Sequence, residues 1–214
     1  MVLTSAGGLF ISIEGPDGSG KTTQARMLQE KLEKRGRRVL LTREPGGTSI
    51  GEEVRGILLN PLFCEMTVPC EIFLYGAARA QLVSQVIRPS LEKGTIVISD
   101  RFIDSSIAYQ GYAGGEDPEM IHTLNLWATA GLLPGKTFLL DLPVEKGLER
   151  LQSKPGEYAG GDRIERKNEH FHRRVRAGFL QLAKQDPQRI FLVNAEKPPE
   201  KVHEQIWGQV RDLL

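Results

Sequence analysis

Eight consecutive residues have the types and spacing for phosphate chemistry: Gly15, Pro16, Asp17, Gly18, Ser19, Gly20, Lys21 and Thr22. They follow the Walker A spacing G-x-x-x-x-G-K-T. Backbone N–H groups of a glycine-rich turn point inward, and a helix N-terminus behind them adds a positive dipole, so the two together cradle an anion. Lys21 has the reach for β- and γ-phosphates, and the Thr22 hydroxyl is of the kind that holds Mg²⁺. The flanks separate this reading from a chance glycine-rich turn. Leu9 to Ile13 is a short apolar run rich in β-formers, which predicts a buried strand. Thr23 to Lys34 carries Ala25, Leu28 and Leu32 at helical spacing.

Further groups stand where other strands end. Thr95 to Ser99 is β-branched and apolar, follows Gly94, and runs into Asp100-Arg101. A carboxylate at the tip of a buried strand is the Walker B arrangement and can hold Mg²⁺ directly or through water. Val39 to Thr42 predicts another strand, followed by Arg43-Glu44-Pro45-Gly46-Gly47-Thr48. Ligands of open α/β sheets bind at that edge. On local sequence alone, an ordinary strand–helix loop with a surface Arg explains Arg43 equally well. Tyr75 and Arg79 lie four apart and share one helix face. Taken alone, that pair reads more simply as a core Tyr and a surface Arg. His170 and His172 are two apart on a predicted helix and face different sides, which argues against a metal pair.

Around these groups, strand, loop and helix alternate over the whole length. That predicts an α/β fold: a parallel sheet with helices on both faces and right-handed crossovers. Helices are expected over Ile50–Leu59, over Cys70–Leu91 with Pro89 ending or kinking it, from Pro143 to Leu151, from Asp162 to about Lys184, and after Pro198-Pro199 with Val202, Ile206, Val210 and Leu213 in one stripe. Further strands are expected at Lys136–Leu142 and Ile190–Val193. Residues 153–161 are rich in Gly and poor in core residues, which marks a lid at about 152–162.

The chain has 214 residues, suited to one domain with a lid. Its 28 Lys and Arg against 27 Asp and Glu argue against a general nucleic-acid binder. The two cysteines, Cys64 and Cys70, have a poor spacing for zinc or redox work and read as free thiols of a reducing compartment. No run approaches the length of a transmembrane helix, and the N-terminus lacks the basic start of a signal peptide, so a cytoplasmic protein is expected.

The run Ile98-Ser99-Asp100-Arg101-Phe102-Ile103-Asp104-Ser105-Ser106-Ile107-Ala108-Tyr109-Gln110 resembles the signature of the thymidylate (dTMP) kinase family, as does Thr42-Arg43-Glu44-Pro45-Gly46-Gly47-Thr48. With the phosphate loop and Ala77-Ala78-Arg79, the resemblance spans nearly the whole chain. It implies a P-loop NTPase-type three-layer fold with a five-stranded parallel sheet, and cytosolic homodimers. It also implies transfer of the γ-phosphoryl group of ATP to dTMP, with Mg²⁺ bridging the β- and γ-oxygens between Thr22 and Asp100. By the same resemblance Arg43 and Arg101 clamp the acceptor phosphate, and Asp17 contacts the acceptor's 3′-hydroxyl. Tyr75, where the family usually has Phe, stacks on thymine, and Arg79 hydrogen-bonds the base. Ser105, Ser106 and Gln110 line the base pocket, and Tyr109 packs under the deoxyribose.

One departure stands out. The family carries a catalytic arginine in the phosphate loop or the lid, and this phosphate loop has none. A lid cation is expected in its place: Lys154, the one cation between Arg150 and Arg163, or Arg150, or Arg163 swinging in from the far hinge. The competing readings are another P-loop nucleoside monophosphate or deoxynucleoside kinase, a nucleotide-dependent switch such as a GTPase, and a non-catalytic binding module. An Asn-Lys-x-Asp guanine-reading motif, which the switch would need, is absent.

Overall fold

A computed structural model describes residues 8–152 and 160–214 of the chain. Most of the expected lid, including Lys154, lies outside the described residues. Five parallel strands form one sheet in the order β2-β3-β1-β4-β5. They are β1 (Phe10–Glu14), β2 (Val39–Arg43), β3 (Ile96–Asp100), β4 (Lys136–Asp141) and β5 (Ile190–Asn194). β1 is central: Phe10 to Ile13 pair with Val97 to Asp100 of β3, and Ile11 to Glu14 with Lys136 to Leu139 of β4. Every residue of β1 is buried, as expected where helices cover both faces of a parallel sheet.

Alternation along the strands sorts the core. Ile11 and Ile13 face α1 (Lys21–Glu33) and α9 (Pro199–Arg211), where Leu28, Leu32, Ile206 and Val210 are buried with them. Phe10 points the other way, into a cluster with Leu82, Ile87, Leu91 and Phe102. Of the stripe expected on α9, Val202, Ile206 and Val210 are buried, whereas Leu213 falls beyond the helix and is partly exposed.

Two helical expectations are corrected. The helix expected over 70–91 starts earlier and changes pitch. α3 (Val68–Leu82) is capped by Thr67, passes through a π-helical segment (Val83–Ile87), and continues as α4 (Arg88–Glu92). Pro89 removes one backbone donor, and the wider turn just before it lets the helix continue past the proline. The helix expected from Asp162 begins later, as α8 (Glu169–Gln185). Asp162 Oδ1 accepts from the backbone N–H of Ile164 and Glu165 and makes a turn of its own. Asn168 then caps α8 by accepting from Phe171 N at 2.9 Å, the local side-chain bonding that favours Asx residues at caps over helix interiors.

The remaining elements are α2 (Ser49–Leu59), α5 (Ile103–Ser106) running into a second π-helical segment (Ile107–Ala113), α6 (Pro118–Ala128) and α7 (Val144–Gln152). Among the described residues no helix is long and apolar enough to cross a membrane.

Candidate active site

The phosphate loop joins β1 to α1 at the carboxyl edge of the sheet. Gly18 has φ +75°, and a Cβ there would lie 2.4 Å from the carbonyl oxygen of Gly147 on α7, so both conformation and space require glycine. Gly20 precedes α1 in the left-handed region and supplies no side-chain cap, and the first turn of α1 has no acidic residue. The first-turn amides and the helix dipole are thereby left for an anion. Lys21 is buried, and its Nζ donates to Pro16 O at 2.9 Å. Burial, reinforced by Arg101, lowers its pKa to about 8 against the pull of Asp17, Asp100 and Glu14.

Asp100, at the tip of β3, meets the first turn of α1: Thr22 Oγ1 donates to Asp100 Oδ2 at 2.5 Å. A hydroxyl and a carboxylate side by side are hard oxygen donors of the kind Mg²⁺ takes, so these two residues fit the ion.

Arg101 follows in the left-handed region at φ 71°, uncommon for a residue with a Cβ. Its N–H donates to Ile13 O at 3.0 Å, which anchors the turn to β1. Its Nη1 donates to Gly15 O and Ser105 Oγ, each at 3.0 Å. Its Nη2 pairs with Asp17 and reaches Tyr109 Oη at 3.2 Å. Tyr109 Oη donates to Asp17 Oδ2 at 2.7 Å, and His172 Nδ1 lies 4.0 Å from the same oxygen. Burial by itself would raise the Asp17 pKa, but Arg101, Lys21 and the Tyr109 hydroxyl outweigh it and hold the carboxyl below its usual range.

Beneath this network Glu14 accepts from Phe102 N at 2.7 Å and Ser105 Oγ at 2.6 Å. Burial and the neighbouring Asp104 push its pKa up to about 8, against Ser105, Arg101 and the Phe102 amide.

The far wall comes from β2, α2 and α3. Arg43 ends β2 with its side chain 55% exposed, and its Nη2 donates to Glu52 Oε2 at 2.9 Å. The Glu44–Pro45 bond is cis. Arg55, on α2, donates to Pro45 O at 3.2 Å. Arg79 is not the surface residue that local sequence suggests. It is 1% exposed, with Nε and Nη2 on Glu44 Oε2 at 2.8 and 2.6 Å. Its Nη1 donates to Asn125 Oδ1 at 2.5 Å, and its Nη2 also to Ser106 Oγ at 3.1 Å. Buried polar groups need this many partners.

One cavity of about 320 Å³ gathers most of the expected residues: Asp17, Gly18, Gly20, Lys21, Thr22, Arg43, Tyr75, Arg79, Asp100, Arg101, Ser105, Ser106, Tyr109 and Gln110. Gly15, Pro16 and Ser19 belong to the loop behind it rather than to its lining. The cavity also holds residues that sequence reasoning missed, among them Arg55 and Asp162. Burial raises the Asp162 pKa to about 6. Of the three cations considered in place of a catalytic arginine, Arg150 lines the cavity and donates to Gly18 O and Ala195 O, each at 3.3 Å. Arg163 is buried and turned elsewhere: Nε donates to Leu58 O at 2.8 Å and Nη1 to Glu71 Oε1 at 2.5 Å.

The family model described as thymidylate kinase matches residues 13–206. A thymidylate kinase of an Exiguobacterium species is 50% identical over 199 residues, covering 93% of this chain and 92% of the relative. That of Halothermothrix orenii is 48% identical over 207 residues, covering 97% and 98%. The crystal structure of thymidylate kinase from Ehrlichia chaffeensis superposes with a TM-score of 0.75 at 35% identity, over 95% of this chain and 99% of that one.

Proposed function

The chain belongs to the thymidylate kinase family, and from that premise we propose that it transfers the γ-phosphoryl group of ATP to dTMP, giving dTDP and ADP. The observation that carries this reading is a single cavity lined by Lys21 and the phosphate loop, by Arg101 beside that loop, and by Arg43 and Tyr75 of the far wall. Two anionic substrates fit head to head between those walls.

In this reading the residues Gly15 to Thr22 hold the ATP phosphates, with the Lys21 ammonium against the β- and γ-oxygens. Arg43 and Arg101 fix the dTMP phosphate so that its oxygen faces the γ-phosphorus in line, and Arg55 adds a third guanidinium on the same side. That oxygen forms the new P–O bond as the bond to the ADP oxygen breaks. The reaction asks for positioning and charge neutralisation more than for covalent help. Bidentate guanidinium–phosphate contacts supply the positioning. Thr22 and Asp100 would hold Mg²⁺, which supplies neutralisation of charge on the transferring phosphate. Asp17, braced by Arg101 and Tyr109, meets the sugar 3′-hydroxyl, and Tyr109 lies under the deoxyribose. Tyr75 stacks on thymine, with Arg79, Ser105, Ser106 and Gln110 around the base.

Lys154 serves as the lid cation toward the transferring phosphoryl, with Arg150 at the phosphate loop as the second candidate. The engagement of Arg163 with Glu71 and Leu58 O speaks against it. All 214 residues act as one kinase unit with its lid at about 152–162, in the cytoplasm. A second copy of the chain covers Phe73 and Trp127, which are 68% and 85% exposed on α3 and α6.

The test is ADP release in a coupled assay with dTMP, dUMP, dCMP, dAMP and dGMP as acceptors. Turnover that requires an acceptor and favours dTMP supports the reading. Nucleotide hydrolysis without an acceptor, or no preference for dTMP, overturns it.

A further inference from the structure

Glu71, Tyr75 and Arg79 occupy successive i, i+4 positions on α3 and so share one face of that helix. Tyr75 and Arg79 line the cavity, and Glu71 stands behind them, only 2% exposed. Its carboxylate takes three partners. Gln110 Nε2 donates to Oε2 at 2.9 Å, Arg163 Nη1 donates to Oε1 at 2.5 Å, and Lys167 Nζ lies 3.9 Å from Oε1. Burial raises the Tyr75 phenol pKa, and the Glu71 charge adds to that shift.

This arrangement decides which way the Gln110 amide points. A carboxylate only accepts, so the group Gln110 turns toward Glu71 must be its NH₂. Gln110 also lines the cavity, and with its NH₂ turned to Glu71, the carbonyl Oε1 lies on the other branch of the amide as the acceptor it offers a ligand. Two cations, Arg163 and Lys167, lie against the other oxygen of Glu71. Without the Glu71 carboxylate, the amide could turn over and present its NH₂ instead.

We propose that Glu71 is a positioning residue that sets pyrimidine specificity by fixing the Gln110 amide with its NH₂ on Glu71 and its carbonyl oxygen free to accept from the base. The inference rests on the dTMP reading above. Thymine and uracil carry an N3–H donor, which such an acceptor receives. Cytosine has a lone pair at N3, so the same acceptor opposes it. Sites that hydrogen-bond a substrate group discriminate strongly because a mismatch leaves buried polar atoms unpaired. Through Arg163 the same carboxylate ties this orientation to the turn at residues 162–167.

The experiment compares kcat/KM for dTMP and dCMP in the wild type and in Glu71→Gln, an isostere that can face Gln110 with either its oxygen or its nitrogen. The dTMP:dCMP ratio is expected to fall roughly tenfold or more, through a higher KM for dTMP and a gain with dCMP. A merely structural role would lower the melting temperature and slow both substrates alike. An unchanged ratio in a folded variant overturns the proposal.

If the variant does not fold, the wild type with dTMP bound decides by crystallography. Gln110 within hydrogen-bond reach of both Glu71 and ring N3 is expected. An amide turned away from either one overturns the proposal. Failure of the dTMP reading itself would look different: the wild type would then show no preference for dTMP at all.

Discussion

Thr22 and Asp100, 78 residues apart in sequence, are joined by a 2.5 Å hydrogen bond from Thr22 Oγ1 to Asp100 Oδ2. This contact ties the first turn of α1 to the tip of β3 and brings two hard oxygen donors together beside the phosphate loop. If they hold Mg²⁺, Thr22→Ala and Asp100→Asn should both shift the Mg²⁺ dependence of ADP release to higher concentration. A loss of roughly 10²-fold in kcat at limiting Mg²⁺ is expected for Asp100→Asn, the size of effect seen when one preorganised electrostatic group is removed. Mg²⁺ titration of the coupled assay reads both. Wild-type Mg²⁺ curves in the variants would remove these residues from the metal site.

Lys21 titrates within an accessible range because burial lowers its pKa to about 8. Below that pH it is an ammonium, the form proposed to meet the ATP phosphates, and above it the ligand-free protein loses that charge. kcat/KM for ATP is therefore expected to fall as pH rises through about 8. kcat should hold to higher pH, since bound phosphate favours the ammonium. Lys21→Met should reduce turnover by about 10³-fold or more. The pH profiles of the two parameters, measured at saturating dTMP, check the first expectation.

Glu14 is buried with its pKa pushed up to about 8. Between about pH 4.5, where the carboxyl of an unfolded chain titrates, and pH 8, the folded protein keeps a proton that the unfolded chain has lost. The stabilising contribution of Glu14 is thus fully present below about 4.5 and disappears by about 8. Glu14→Gln loses a hydrogen bond at every pH, a constant offset. Relative to wild type, the variant should gain up to about 5 kcal/mol across that window. Urea unfolding at several pH values measures it, and parallel stability curves would contradict it.

Arg43 and Arg55 face the cavity from β2 and α2 with partners that a ligand can replace: Glu52 for one, a backbone carbonyl for the other. Arg43→Gln and Arg55→Gln are each expected to raise KM for dTMP by about tenfold, the loss of a charge-assisted hydrogen bond. KM for ATP should stay within about twofold. Initial-rate kinetics with each substrate varied in turn separates the two constants. A change confined to ATP would move these arginines to the other substrate.

The sequence carried most of the fold because its signals were local. Strand tips at Arg43, Asp100 and Asp141, the phosphate loop, the apolar stripe of α1 and that of α9 as far as Val210 stand where periodicity and turn residues predict. Missed features depend on partners distant in sequence. Nothing near Arg79 shows that Glu44 and Asn125 will bury it, and nothing near Glu71 shows that Gln110 and Arg163 converge on its carboxylate. Sequence spacing relates His172 only to His170, yet the fold brings it to Asp17, which lies 155 positions earlier. Arg55 gives no local sign beyond its place on an amphipathic helix. The late start of α8 and the change of pitch before Pro89 are not legible because a side-chain turn and a π-helical segment leave almost no compositional trace.

The head-to-head arrangement of two substrates is tested most directly by a crystal structure with dTMP and a non-hydrolysable ATP analogue bound together. The account predicts the analogue's phosphates on residues 15–22 and the dTMP phosphate between Arg43 and Arg101. It also predicts the thymine ring within about 4 Å of the Tyr75 ring, the distance of packed contact. A monophosphate seated in the phosphate loop, or a thymine ring lying away from Tyr75, would contradict it.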